Sequence, residues 1–454
     1  MTVNRIIYLL IFFVSLGCTN KKDDNVQPDN PNDSIPAKCM TLSKEVNDTL
    51  SENELLDLVE KQTIRYFWDY AEPNSGMARE RLNSGTTVTT GGSGFGIMAL
   101  IAGADRGFLG RDTVAGRILH IARFLRSADR YHGAWSHWYN GTTGKTQPFS
   151  AKDDGGDLVE TAFMIQGLLT AREYFDQNTP KEDSLRTIID TLWNQVEWTW
   201  YENGQNVLLW HWSPNYNFEL NHHIVGWNEA LIVYVLAASS PTYPITKAVY
   251  DEGWADNGNI ANGKVFYDLQ LPLGPDFGGP LFFAHYSFLG LDPRNLSDQY
   301  ADYFEQNKNQ SLIDYHYCIA NPYKYCYYSD SCWGLTASDD PLVGYQAHAP
   351  FNIWGSDNGT ITPSAALSSF PYTPDESMQA LKFFYYYLHD QLFGEYGFKD
   401  AFNIDHSWFA SSYLAIDQGP IVVMIENYRT QLLWNTFMKN KDVQYGLTTL
   451  GFTY

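Results

Sequence analysis

The chain has 454 residues, 44% of them hydrophobic and 18% charged, which excludes wholesale disorder and supplies apolar surface for a large core. Thirty Lys and Arg stand against 52 Asp and Glu, a net charge of −22, so a phosphate backbone would meet repulsion instead of counterion release and nucleic acid is excluded as a partner. Aromatic residues make up 16%, with 14 Trp and 31 Tyr, a supply that suits a cleft for neutral, hydroxyl-rich molecules and also a large core.

Arg5 precedes an apolar run from Ile6 to Leu16 that ends at Gly17-Cys18. The run is too short for a spanning helix and has the length of a signal-peptide core, so 1–17 reads as a signal peptide. A small residue followed by Cys resembles a lipobox, with Cys18 as the lipidated residue, although Ser15 stands where that pattern prefers Leu. Lys22-Asp23-Asp24 resembles the surface-export tag of Bacteroidetes-type lipoproteins. The expected location is therefore the outer membrane, at the cell surface or its periplasmic face, held by the lipid anchor alone. Residues 18–50, polar and carrying Pro28, Pro31 and Pro36, read as the lipidated Cys and a flexible tether. Beyond Cys18 there are Cys39, Cys318, Cys326 and Cys332, which allow three pairings or free buried thiols. They contain no Cys-x-x-Cys, so a structural zinc is unsupported.

From residue 51 a 3.6-residue apolar period dominates. Ser51 and Glu54 form a capping box before the first helix, which runs towards Trp68. Further helices are predicted near 93–105, 112–130, 157–175, 182–201, 227–239, 245–254, 280–289, 298–319, 375–390 and 420–439, with another near 405–415. Long segments rich in Gly, Pro, Asn and aromatics separate some of them, notably 131–156, 202–226, 255–279 and 320–373, and loops of that length are usually functional. Period-2 runs are few and short, and no composition break divides 51–454, which reads as a single catalytic domain. This pattern predicts an all-α fold, an (α/α)6 toroid with long cleft-forming loops; a helical-repeat scaffold is the competing architecture.

Carboxylates cluster in KDDGGDLVETAF, 152–163. Asp157 and Glu160 share the first turn of a helix whose apolar stripe is Leu158, Ala162, Ile165 and Leu169. Asp153 lies four residues earlier, across a Gly155-Gly156 turn that would let the backbone approach a ligand. Three converging acids would raise at least one pKa, whereas acids at a helix start also simply complement its dipole. Glu229 is expected in the first turn of the apolar helix 226–239, as a dipole partner or held towards a cleft. Gly419-Pro420 marks a helix start, leaving Asp417 in the preceding loop, and Glu426 reads as the structural partner of Arg429.

Other chemistries fit less well. Gly92-Ser93-Gly94 lacks the rest of a nucleophile elbow, and the run 89–100 reads instead as a loop entering a helix tightly. His211, His222 and His223 have no metal-binding spacing, so no metal and no cofactor is expected. Trp135, Trp138, Trp210, Trp212, Trp333 and Trp354 fall in the long segments; Trp138, Trp210, Trp212 and Trp354 are the candidates for stacking on sugar rings, with core packing as the other reading of each.

KDDGGDLVETAF, HHIVGWNEA and IDQGPIVVMIENYRTQLLW, in this order, resemble the glycoamylase-like proteins of glycoside hydrolase family 144, the β-1,2-glucanases. The resemblance covers 51–454 and implies a single (α/α)6 barrel that hydrolyses a neutral β-1,2-glucan with inversion and without a metal. Carried over by position, the family's acids fall on Asp153, Asp157, Glu160 and Glu229, with Asp417 the less certain match. Inversion needs two separated carboxyls. Glu229 is then the expected general acid, and Asp417 the base, directly or through a water or substrate hydroxyl. Asp153, Asp157 and Glu160 would hold sugar hydroxyls; an alternative gives that cluster the acid or base role. The chain is expected to act as a monomer. Two further functions stay open: a glucoamylase-like α-glucan exohydrolase on the same fold, and a non-catalytic surface glycan-binding lipoprotein.

Overall fold

The computed structural model describes residues 39, 41–47, 49–352 and 357–454. The signal peptide, the Cys18 lipidation site and Trp354 therefore lie outside the described residues.

The first helix, α1 (Glu52–Trp68), carries the expected reciprocal cap: Ser51 Oγ accepts from the Glu54 N–H, and Glu54 Oε2 accepts from the Ser51 N–H at 2.8 Å. Two kinds of helix then alternate along the chain. α2 (Thr90–Asp105), α4 (Leu158–Tyr174) and α6 (Leu231–Ser239) are small or apolar almost all round, and nearly every side chain is buried. α1, α3 (Arg111–Ser127) and α5 (Pro180–Asn194) bury a single stripe, such as Val114, Ile118, Ile121 and Leu125 of α3. Beyond them come the single turn α7 (Lys247–Val249), α8 (Tyr303–Ala320), the short buried α9 (Pro363–Leu367), the one-sided α10 (Pro374–Tyr387) and the turn α11 (His389–Leu392). The buried α12 (Ala415–Thr430), α13 (Leu432–Phe437) and α14 (Lys441–Leu450) complete the chain.

The buried elements pack in sequence. α2 lies against α4, α4 against α6, and α6 against the 3-10 turn Tyr286–Phe288. His285, just ahead of that turn, hydrogen-bonds Ser369 beyond α9 at 3.0 Å; α9 packs on α12, and α12 returns to α2. Missing side chains allow the tightest crossings. A Cβ on Gly94 of α2 would stand 2.3 Å from the Phe163 carbonyl oxygen of α4, and one on Gly167 of α4 2.2 Å from the Gly94 carbonyl. The glycine-rich run 89–100 thus serves helix–helix contact along its length. Because backbone cannot give way as a side-chain tip can, Gly94→Ala is expected to destabilise the fold by about 3 kcal/mol. A urea titration checks this, and an unchanged midpoint would contradict the crossing.

Several predicted helices are something else. Residues 280–289 form two 3-10 turns, Leu281–Ala284 and Tyr286–Phe288, bracketed by Pro280 and Gly290 and crowded by four aromatics. At 245–254 a single α turn runs into a π turn, Tyr250–Trp254, where Gly253 lies under the Tyr234 hydroxyl. At 405–415 a tight turn joins strands Phe402–Asn403 and Trp408–Phe409, because Asn403 Oδ1 accepts from the His406 N–H and Ser407 takes a φ of 47°. α14 was not expected; the Asn440 side chain caps it, and its stripe Val443, Gly446, Leu447 and Leu450 seats it on α6. The long segment 320–373 holds an antiparallel hairpin, Ala337–Asp340 with Gly344–Ala347, and α9 itself. Among the described residues, strands form only two- and three-stranded sheets.

Of the cysteines, Cys39 is disulfide-bonded to Cys326, while Cys318 and Cys332 are free and buried. Residues read as the end of the tether are therefore fastened to the body. The Leu42 and Leu50 N–H groups also donate to the hydroxyls of Tyr327 and Tyr386, each at 3.0 Å. Glu426 is structural as expected, but its partner is Arg106 at 2.6 Å; Arg429 instead binds Asp57 and Glu60.

Candidate active site

The starts of α2, α4, α6 and α12 meet at one end of the buried helices, and the candidate acids sit on them. Strand β1 (Thr87–Thr89) feeds α2 and pairs with β2 (Trp138–Asn140), which pairs in turn with β3 (Thr146–Gln147). Strand β4 (Gly156–Asp157) feeds α4 and pairs with β5 (His211–Trp212) in the register Asp157↔His211. Gly155 and Gly156 serve this pairing and not a ligand approach. Cβ atoms there would lie 2.2 Å from the Trp212 carbonyl and 2.1 Å from the Tyr201 hydroxyl.

Asp157 is the N-cap of α4: Oδ1 accepts from the N–H groups of Val159 (3.0 Å) and Glu160 (2.9 Å). Its Oδ2 faces His137 Nδ1 at 3.0 Å and His211 Nε2 at 3.7 Å. Burial works to raise its pKa, but the His137 hydrogen bond, the two imidazolium charges and the cap N–H outweigh it and hold the carboxyl below its ordinary value. Asp153 meets His211 Nε2 at 3.1 Å. Glu160 Oε2 accepts from the Gly91 N–H at 2.6 Å and from Thr89, and Oε1 lies 3.8 Å from His137 Nε2. Burial is the main reason that Glu160 titrates above its ordinary value, with the Asp157 charge adding to it.

His137 and His211 are thus part of the site, a point the sequence reading missed for both. Burial would lower His137, yet the carboxylates of Glu160, Asp157 and Asp153 overcome this and push it up to about 10, so it is a cation at neutral pH. His211 moves upward against the same penalty, through Asp153 first and Asp157 next. His222 goes the other way, down to about 4, by burial and the neighbouring His211 charge. Among the described residues, His137, Asp153 and Asp157 also present one nitrogen and two carboxylate oxygens within 4.8 Å of one another, a set able to hold a cation. His137 and His211 already pair with those oxygens, so a metal would have to displace these contacts first. Replacing His137 by Gln is expected to raise the pKa of Asp157 and Glu160 and to cut kcat about tenfold to a hundredfold. Steady-state rates across pH check this.

Glu229 lies just ahead of α6, whose N-cap is Ala230, and not inside its first turn. The Ser287 hydroxyl fixes its backbone carbonyl at 2.5 Å. Burial raises its carboxyl to about 7; a hydrogen bond from its own N–H opposes the shift, and the Asp157 and Glu160 charges reinforce it. Asp417 is not in a loop: α12 begins at Ala415 and carries Pro420 inside, so Asp417 occupies the first turn. There it is buried and accepts from Ser364 Oγ at 3.1 Å. Burial raises it to about 7, opposed by hydrogen bonds from Asp400 and Ser364. The buried Tyr286 feels the charges of both Asp417 and Glu229, which with burial hold its phenol well above its ordinary value.

Of the aromatic candidates, the half-buried Trp138 packs on Phe149 (centroids 4.9 Å apart) beside His137. Half-buried Trp210 stacks on His222 at 4.9 Å. Trp212 belongs to a neighbouring cluster with Tyr131, His132 and Trp200, while Trp135 and Trp333 are fully buried core. Half-buried Glu229 and buried Asp417, both of raised pKa and each beside a different helix start, a third group of acids paired with His137 and His211, and half-buried tryptophans define an acid–base site on a helical scaffold.

Comparison with known proteins agrees with this class. The Glycoamylase family model, described as "Putative glucoamylase", matches residues 221–441. The chain is 52% identical to an endo-β-1,2-glucanase from Chitinophaga pinensis, solved with sophorotriose and glucose, over 89% of this chain and 99% of that one, with a TM-score of 0.87. It is 47% identical to a β-1,2-glucanase structure from Parabacteroides distasonis, over 89% of this chain and 60% of that one, TM-score 0.86. It is also 48% identical over 419 residues to the exo β-1,2-glucooligosaccharide sophorohydrolase (non-reducing end) of P. distasonis, 88% of this chain but only 58% of that protein's length. The chain belongs to the glycoamylase-like β-1,2-glucanase family, glycoside hydrolase family 144.

Proposed function

We propose that the chain hydrolyses β-1,2-linked glucan or its oligosaccharides, with inversion at the anomeric carbon, using Glu229 as general acid and Asp417 as general base. The observation that carries this reading is a pair of carboxyls beside two different helix starts, half-buried Glu229 and buried Asp417, each raised to about 7. Glu229, still partly protonated near neutrality, donates to the departing glycosidic oxygen. Asp417, once ionised, takes the proton of the attacking water, directly or through a sugar hydroxyl. Asp157, held ionised by His137 and His211, is a poor acid, which favours a substrate-holding role for the Asp153, Asp157 and Glu160 cluster. Trp138 and Trp210 supply apolar faces for the sugar rings at the edge of the site.

The buried segments that follow one another from α2 through α4, α6, 281–288, α9 and α12 back to α2, each backed by a one-sided partner, support the (α/α)6 toroid. The lipobox at Cys18 supports an outer-membrane lipoprotein, which metabolic labelling with palmitate would test against Cys18→Ala.

Incubating the protein with linear β-1,2-glucan and with soluble starch tests the assignment. β-1,2-linked oligosaccharides are expected from the first and nothing from the second, with the new reducing end released as the α-anomer. The length distribution of the early products distinguishes endo from exo cleavage. Glucose from starch alone would return the α-glucan exohydrolase reading, and binding without products would favour a glycan-binding protein.

A further inference from the structure

Asp400 precedes the strand Phe402–Asn403, and nothing in the sequence reading picked it out. It is 2% exposed, as is Asp417, and the two side chains are hydrogen-bonded to each other. Their other oxygens are committed elsewhere: Asp400 Oδ2 accepts from the Asp339 N–H at 2.7 Å, and Asp417 Oδ1 accepts from Ser364. Asp400 Oδ1 and Asp417 Oδ2 are the buried atoms left without any other donor. Two carboxyl oxygens in contact and sealed from water require a proton between them or a cation beside them.

Among the described residues, the cations around the pair are engaged elsewhere. Arg81, whose charge acts on Asp417, has its guanidinium bound to Asp339 at 2.7 Å and to Glu80 at 3.0 Å, so two carboxylates already share its charge. Asp339 takes its remaining donor from Ser412. The Lys399 ammonium next in the chain is turned onto the Gln391 carbonyl at 2.5 Å. Tyr286 and Tyr345, the other titratable groups facing the pair, are neutral phenols whose ionisation the acids suppress further. Asp400 is pushed well above the ordinary carboxyl range, by burial first and the Asp417 charge next.

We propose that Asp400 is a positioning residue that stays protonated and donates its proton in a hydrogen bond from Oδ1 to Asp417 Oδ2, so fixing the orientation and ionisation of the base. The inference rests on the assignment of Asp417 as the base. Asp400 touches no reacting atom in it: its proton stays in place through the cycle, while Asp417 gains and loses the proton of water. A neutral donor stabilises the Asp417 anion, whereas an ionised Asp400 would have destabilised it, and the two possibilities predict opposite shifts.

The test uses the whole protein and the near-isosteric Asp400→Asn, whose amide oxygen can still accept from Asp339 and whose NH2 can still reach Asp417. Infrared difference spectra near pH 7, wild type minus variant, should contain the C=O stretch of one protonated carboxyl. On β-1,2-glucooligosaccharides, the acidic limb of kcat/KM should move up by about half a pH unit in Asp400→Asn and by a unit or more in Asp400→Ala. kcat should fall about tenfold with KM little changed. Absence of the protonated-carboxyl band, a limb that moves down or a limb that stays put would each overturn the proposal. Full turnover by Asp417→Asn would instead remove the base assignment, and the infrared band would still report whether Asp400 holds the proton.

Discussion

Glu229→Gln is expected to lower kcat on β-1,2-glucan by about a thousandfold, with little change in KM. The half-buried carboxyl sits just ahead of the apolar α6, and its pKa of about 7 follows first from loss of solvent there, reinforced by the negative charges of Asp157 and Glu160. An acid of that pKa keeps a proton near neutrality and gives it up readily as the glycosidic oxygen gains charge. The sign follows directly: the rate should fall as pH rises through about 7, because the proton needed is then absent. Gln preserves shape and cannot donate an acidic proton. Aryl β-sophorosides with a good leaving group need no such donation, so the variant should hydrolyse them at close to the wild-type rate. A variant equally crippled on both substrates would mean that Glu229 positions the sugar and does not protonate it. More than a tenth of wild-type turnover on the glucan would remove it from the chemistry.

The acids were legible in the sequence because each interrupts a strongly patterned segment. Asp157 and Glu160 open an apolar helix, and Glu229 stands alone before another. What held them was less legible. His137 lies in a run of aromatics with no spacing rule linking it to Asp157, and the two are brought together by tertiary contacts such as the Asp157 N–H donating to the Trp135 carbonyl at 2.8 Å. His211 was set aside with its neighbours His222 and His223, although the register of one two-residue sheet puts it on Asp157 and sends His222 onto Trp210. Asp400 carries no local signal, since its importance comes from a contact with Asp417 seventeen residues on, across a strand turn and a helix start. Helix existence was readable from periodicity wherever the segment was long. It failed at 280–289 and 405–415, where aromatic crowding and Asn turn chemistry outweigh a short apolar run. Pro420 misled the boundary of α12, because a proline within the second turn forfeits one backbone bond without ending the helix.

Asp417→Asn should lose activity to a similar extent, about a thousandfold in kcat, but with a different signature. Its carboxyl must be ionised to accept a proton from water, so the wild-type rate should fall as pH drops through the pKa of this group, opposite in direction to the Glu229 limb. The product of the two limbs is a narrow bell centred near neutrality, and Asp417→Asn should erase its acidic side alone. Asn still accepts from Ser364 Oγ, so the start of α12 and its packing on α2 and α9 should be unchanged, and thermal melts should coincide with wild type. Azide, which attacks carbon without surrendering a proton, can take the place of activated water. Adding it to Asp417→Asn with an aryl β-sophoroside should yield the α-glycosyl azide: the C–N bond forms from the face opposite the departing aryl oxide, which Glu229 can protonate. The β-azide would point to a covalent intermediate and a retaining enzyme, and no rescue together with a flat pH profile would assign the base elsewhere. Rescue with inversion would assign activation of the attacking water to Asp417 and leave assistance of the departing group to a second, separate carboxyl, the role given to Glu229.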